Sequence, residues 1–177
     1  TAYIPADSAG LKGLAAVHEQ LLRALQARVK QTHATLDVDA TVIASDKRTA
    51  LPLYEGGTGY QPLQVCWAEQ GVWVQSQFRD GNVPAGKRPL DAIRDGFAVI
   101  PQRITRRRLR SDSAAYEEKT LKWCNDPVNR LERFTISADM SEPLHKLCAE
   151  VGDRDWTIYD ERANETVWWS EVEFFPG

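Results

Sequence analysis

The run Thr35-Leu36-Asp37-Val38-Asp39-Ala40-Thr41-Val42-Ile43 decides the fold. Its β-branched, alternating character predicts a strand over 35–43, with Asp37 and Asp39 on one face and Leu36, Val38 and Ala40 on the other. Upstream, Leu11, Leu14, Ala15, Val17, Leu21, Leu22, Leu25 and Val29 recur at three- and four-residue steps between charged residues. That spacing predicts an amphipathic helix from about Ser8 to Gln31.

Downstream, Gly56, Gly57 and Gly59 read as a loop, and Leu63 to Ala68 and Val72 to Phe78 as two strands joined through Glu69, Gln70 and Gly71. A turn around Asp80, Gly81, Asn82 and Pro84 precedes a helical stripe of Leu90, Ile93, Phe97 and Ile100. Ile104 to Arg110 reads as a strand, Ala114 to Cys124 as a helix and Leu131 to Ala138 as a strand. Ser141 and Pro143 open a helix through Glu150, and Trp156 to Tyr159 and Val167 to Phe174 read as extended. The order after the leading helix is three strands, helix, strand, helix, strand. It predicts an α/β fold of ribonuclease H-like type, a mixed sheet with antiparallel and parallel pairs flanked by helices.

The chain of 177 residues suffices for one good core. With 42% hydrophobic and 27% charged residues, disordered and fibrous classes are excluded. No stretch reaches the roughly 18 apolar residues of a membrane span, and no signal-peptide pattern opens the chain. Cys66, Cys124 and Cys148 form no C-x-x-C pair, so a reducing cytosol is the expected compartment. The apolar run from Val172 to Gly177 stops abruptly, and the chain reads as a piece of a longer one. Net charge is −3, but ten acidic residues stand against three basic ones from Asp139 onward, net −7, leaving +4 before it.

Two carboxylates on one sheet face repel each other and resist burial, so Asp37 and Asp39 require a cation, a basic partner or solvent. Asp112 follows a strand and opens a helix, which makes it either an N-cap or a residue at the strand end where α/β sites are built. Arg103, Arg106, Arg107, Arg108 and Arg110 crowd the segment before it with no acid among them. Such a run suits phosphodiester oxygens, or else is the charged guard of an edge strand. The glycine loop lacks the Lys-Ser/Thr of a phosphate-binding P-loop, and His18, His33 and His145 lack metal-ligand spacing. Trp168 and Trp169 are adjacent, so in a strand one of them faces outward.

Five stretches taken in order carry a resemblance: Leu36-Asp37-Val38-Asp39-Ala40-Thr41, Gly59-Tyr60-Gln61-Pro62, Phe78-Arg79-Asp80-Gly81-Asn82, Arg110-Ser111-Asp112-Ser113-Ala114-Ala115-Tyr116 and Ala138-Asp139-Met140. Together they resemble the DDE transposases of bacterial insertion sequences, in the subgroup whose ribonuclease H-like core is interrupted by a β-rich insertion. The resemblance implies a leading helix over 1–34, a partial catalytic core over 35–150 and the start of that insertion over 151–177. It implies catalytic, metal-binding roles for Asp39, in a D-x-T pattern, and Asp112, in an R-x-D-S pattern, with Asp37 a neighbour rather than a ligand. It further implies magnesium or manganese as cofactor, cleavage and strand transfer on double-stranded DNA at transposon ends and target, and a homodimer on DNA in a bacterial cytoplasm. The five arginines would then position the DNA backbone. The family's final Glu, in a helical Y-x-x-R-x-x-x-E context, has no counterpart here, since Glu171 and Glu173 stand in a strand-like run. Beside the transposase reading stand an inactive DNA-binding or assembly module derived from a truncated transposase and a self-contained metal nuclease.

Overall fold

An amphipathic helix, α1 (Ala9–Arg28), leads into the acid-bearing strand β1 (His33–Ala40) in the computed structural model, which describes residues 9–173. The expected helix start at Ser8 and the end of the C-terminal apolar run lie outside the described residues. Leu22 and Val29 enter the core, whereas Leu14, Val17 and Leu21 are exposed.

The expected strand over 35–43 ends at Ala40, and the chain turns there. Ile43–Ala44 forms β2, which joins β3 (Leu51–Pro52) and β4 (Thr58–Tyr60) in a separate three-stranded sheet of order β2-β4-β3. The glycine stretch is therefore not simply a loop. Gly56 and Gly57 turn with positive φ between β3 and β4, and Gly59 lies inside β4.

The hairpin follows as expected, with β5 (Leu63–Trp67) and β6 (Val72–Gln77), and then α2 (Pro89–Val99), β7 (Arg106–Ser111), α3 (Glu118–Asn125) and β8 (Leu131–Ile136). The helix expected over 114–124 is split. A single 3₁₀ turn, Ser113–Ala115, ends at Tyr116, and α3 starts afresh after Glu117, whose carboxylate accepts from the buried Thr120 hydroxyl.

The main sheet has the order β6-β5-β1-β7-β8. β5 pairs antiparallel with β1 and β6, while β1, β7 and β8 run parallel. This is the ribonuclease H-like mixed sheet the sequence order predicts. β7 lies between β1 and β8, so the edge-strand alternative for the arginine run does not hold.

Alternation sorts the sheet into two faces. Leu36, Val38, Val65, Trp67 and Leu109 are buried with Ile93 and Phe97 of α2 and Cys124 of α3. α2 comes so close that a Cβ on Gly96 would stand 2.8 Å from Val65 Cγ1 and 3.2 Å from Leu36 Cδ1. Asp37, Asp39, Gln64 and Cys66 occupy the other face, where none is fully buried.

The chain divides into two units, Thr1–Ala138 and Asp139–Gly177. The second holds α4 (Glu142–Glu150), whose N-cap Ser141 accepts from the Leu144 amide, and an antiparallel pair, β9 (Thr157–Arg162) and β10 (Glu165–Trp169). Trp168 and Trp169 are both about half exposed, at 51% and 45%. Neither strand of the pair has a buried residue, and the register shifts between Val167 and Trp168.

Candidate functional site

β1 and β7 pair in parallel through Asp37↔Arg110 and Val38↔Ser111. One step further, Asp39 is the penultimate residue of β1 and Asp112 follows β7, so the two residues occupy neighbouring positions at the carboxyl ends of adjacent strands. Strands in a sheet lie about 4.8 Å apart. Asp39 shares the face of Asp37, and Asp112, in extended conformation two residues after Arg110, shares the face of Arg110. The Ser111 hydroxyl donates to the Val38 carbonyl at 3.2 Å and ties the strand ends together.

Both carboxylates are exposed. Asp112 Oδ1 accepts from the Ala114 amide at 3.1 Å, so this residue is an N-cap and also stands at the strand end. Its Oδ2 accepts no hydrogen bond among the described residues, and the Asp39 carboxylate has neither hydrogen bond nor ion pair among them. Such hard oxygen donors suit magnesium or manganese. Among the described residues no group of three or more His, Cys, Asp or Glu side chains gathers at a point.

Asp37 has its basic partner. Arg110 Nε and Nη2 donate to its two oxygens at 2.6 and 2.7 Å, and this bond raises the Arg110 pKa above the ordinary arginine value. With its carboxylate forked by a guanidinium, Asp37 is set apart from Asp39 although they share a face.

The five arginines do not form one cluster. Arg106 and Arg108 donate to the two oxygens of Glu132 at 2.8 and 2.7 Å, holding that carboxyl below its usual range. Arg103 reaches the Gln26 and Val29 carbonyls at the end of α1. Arg107 alone turns to the helix-covered face, 5.9 Å over the Phe97 ring.

Two of the other matching stretches, 59–62 and 78–82, pack together after the end of β1. Tyr60 bridges Asp80, the Gln61 amide donates to the Arg79 carbonyl at 3.0 Å, and the Gly81 amide donates to the Gly59 carbonyl at 3.1 Å. Tyr60 and Phe78 pack ring to ring at 5.0 Å. Arg79 is buried, with its guanidinium on the Ala85 carbonyl and Gln77 Oε1. Tyr54, at the tip between β3 and β4, is a residue the sequence does not single out. Its ring is exposed, and its pKa is raised first by its hydrogen bond to Glu55 and the charge of that residue, and least by the charge of Asp112. A tyrosine before Gly56-Gly57 is the one local signal.

A family model described as Transposase DDE domain group 1 matches residues 4–175. A search of curated proteins gives no match. Among solved structures, the cryo-EM structure of the piggyBac transposase synaptic complex with hairpin DNA is similar at 11% identity and a TM-score of 0.48. That likeness covers 79% of this chain and about a third, 33%, of the other. With the family model matched over nearly all of these 177 residues, the chain belongs to the transposase DDE domains of group 1.

Proposed function

We propose that this chain is part of the catalytic core of a DNA transposase, with Asp39 and Asp112 as two of its metal-holding carboxylates. The observation that carries the reading is their placement side by side, one step beyond the Val38↔Ser111 pair, with oxygens that no cation of the protein occupies. When bound there, magnesium or manganese supplies charge stabilisation to the reacting phosphodiester and its attacking hydroxyl. The protein orients the donors. The Ala114 amide fixes Asp112 through one oxygen, the Ser111–Val38 bond holds the strand ends in step, and Arg110 keeps Asp37 engaged elsewhere.

In this reading the substrate is double-stranded DNA, at transposon ends and target, and the reaction is phosphodiester cleavage followed by strand transfer by a homodimer on DNA. A third carboxylate, the family's final Glu, comes from outside these 177 residues. The acidic pair β9 and β10 is the start of a β-rich insertion, and the 177 residues by themselves turn over no DNA. Of the arginines, Arg107 is the one whose guanidinium has no protein oxygen as partner among the described residues.

Calorimetry with magnesium or manganese at low ionic strength tests the site on the wild-type chain, Asp39→Asn and Asp112→Asn. Asn keeps the N-cap at 112 while removing the charge. Weak binding lost in both variants supports one shared site. Binding unchanged in either overturns the assignment, and DNA binding without metal binding then favours the inactive assembly module.

A further inference from the structure

A second basic feature lies at the other end of the sheet. A cleft of about 790 Å³ opens beside the amino ends of β7 and β8, and Arg94 and Phe97 of α2, Arg107 of β7, Trp123 of α3 and Arg130 line it. Arg107 is half-buried over Phe97, whose ring lies 5.9 Å from Trp123. Burial pulls the Arg107 pKa below the ordinary arginine value, and the charge of Arg130 pulls it further, so two guanidinium groups feel each other here.

Among the described residues none of Arg94, Arg107 and Arg130 has an ion pair. The one acid on the rim, Asp126, uses Oδ1 to accept from the Val128 amide at 3.0 Å. Arg130 also holds a left-handed φ of 56°, a conformation that suits glycine or asparagine better than arginine. Arg94 and Arg130 are exposed, whereas Arg107 is half-buried beside the charge of Arg130, whose own backbone is strained, and these two features cost the free protein stability. An anion with several oxygens offsets that cost.

We infer that this cleft grips the phosphodiester backbone of a DNA segment, as a second DNA contact distinct from the Asp39–Asp112 site. Guanidinium forks match the paired oxygens of a phosphate, and the aromatic floor holds Arg107 ready at little entropic cost. Asp112 follows β7 and lies five residues beyond Arg107, roughly 16 Å at strand rise. They point to opposite faces of the sheet, so the segment held here is not the one presented to the carboxylates. The inference rests on the transposase reading for the identity of the phosphate polymer.

The test is the affinity of the 177-residue chain for a duplex of random sequence across a salt series, with Arg130→Gly, Arg94→Gln and Arg107→Lys. Arg130→Gly is the decisive variant because it relaxes the left-handed backbone. Its unfolding temperature should rise, by about 2 °C, while DNA affinity falls. The slope of log affinity against log salt should shrink by about 0.9 for each phosphate contact removed, hence by about 1.8 in Arg94→Gln/Arg130→Gly. Arg107→Lys keeps the charge and loses the fork, so it should weaken binding with little change in slope.

Equal affinity and slope in wild type and Arg94→Gln/Arg130→Gly would overturn the inference, as would a wild-type chain that binds no duplex. Inorganic phosphate binding that depends on these arginines, with DNA affinity untouched, would also overturn it in favour of a free phosphate. Magnesium calorimetry on the same variants reads the carboxylate site separately, so loss of the cleft and loss of the transposase reading give different results.

Discussion

Arg110 stands on the sheet face that carries Asp39 and Asp112, and its guanidinium closes Asp37 off. The pair with Asp37 is largely exposed, at 38% and 60%, and such pairs contribute about 0–1 kcal/mol to stability. Its larger effect is on the neighbouring site. Arg110→Ala removes one cation and frees one carboxylate two residues from the site, about 7 Å at strand rise, and in surface dielectric that is on the order of 1 kcal/mol, or about fivefold. Magnesium binding measured by calorimetry should therefore tighten several-fold at low salt, with unfolding barely altered. Weaker binding would mean that Arg110 orients the site and does not merely shield it. At Gly81 the prediction concerns packing, because a Cβ there would stand 2.6 Å from the Leu51 carbonyl oxygen and 2.7 Å from that of Gly59. Both obstacles are backbone, so Gly81→Ala should cost roughly 1–3 kcal/mol in a denaturant titration.

Among the elements, β1 is held at its start by a carboxylate from the β5–β6 turn. Glu69 accepts from the Thr35 amide at 2.8 Å and from its hydroxyl at 2.6 Å, with His33 at 3.6 Å. Burial works to raise the Glu69 pKa, but the two hydrogen bonds from Thr35, with that from its own backbone amide and the charge of His33, together outweigh it and lower the pKa below the ordinary value. A carboxyl whose pKa is depressed by folding stabilises the protein above its ordinary pKa, and that contribution fades as pH falls through the folded value. Thr35→Val should therefore lower the urea midpoint at pH 7 and leave a smaller difference from wild type at pH 3. An equal difference at both pH values would refute the role of the carboxylate. This hook was not legible in the sequence, because Thr35 and Glu69 are brought together only when β5 folds back on β1. The same reason hid the partners of the arginines. Their density before Asp112 is plain, but Asp37 and Glu132 reach them through strand register, 73 and 24 to 26 residues away. By contrast β1, the β5–β6 hairpin, α2 and β8 were readable, since each carries several turns or alternations of apolar residues. β2, β3 and β4 have two or three residues each, too few for a period to show: Ile43 reads as the end of a strand, Gly59 as part of a loop, and Leu51–Pro52 carries no pattern.

Across the whole chain, two independent divisions fall at the same place. Contacts separate the units after Ala138, and charge changes sign there, from +4 before Asp139 to −7 from Asp139 onward. The hydrophobic core cluster, from Leu22 to Cys124 with Ile136 at its margin, lies entirely in the first unit. A chain ending at Ala138 keeps that core and both carboxylates, so it should unfold in one cooperative transition. It also loses the acidic segment, whose field opposes the approach of a polyanion over roughly the 10 Å screening length at 0.1 M salt. Its affinity for duplex DNA should accordingly exceed that of the 177-residue chain at low salt, with the gap closing as salt is raised to about 1 M, where screening falls to 3 Å. Anisotropy titrations of the two chains across that range measure both effects. A gap that persists at high salt would mean that residues 139–177 act on DNA binding by something other than charge, and a truncated chain that fails to fold cooperatively would show that the first unit depends on the second despite holding the core.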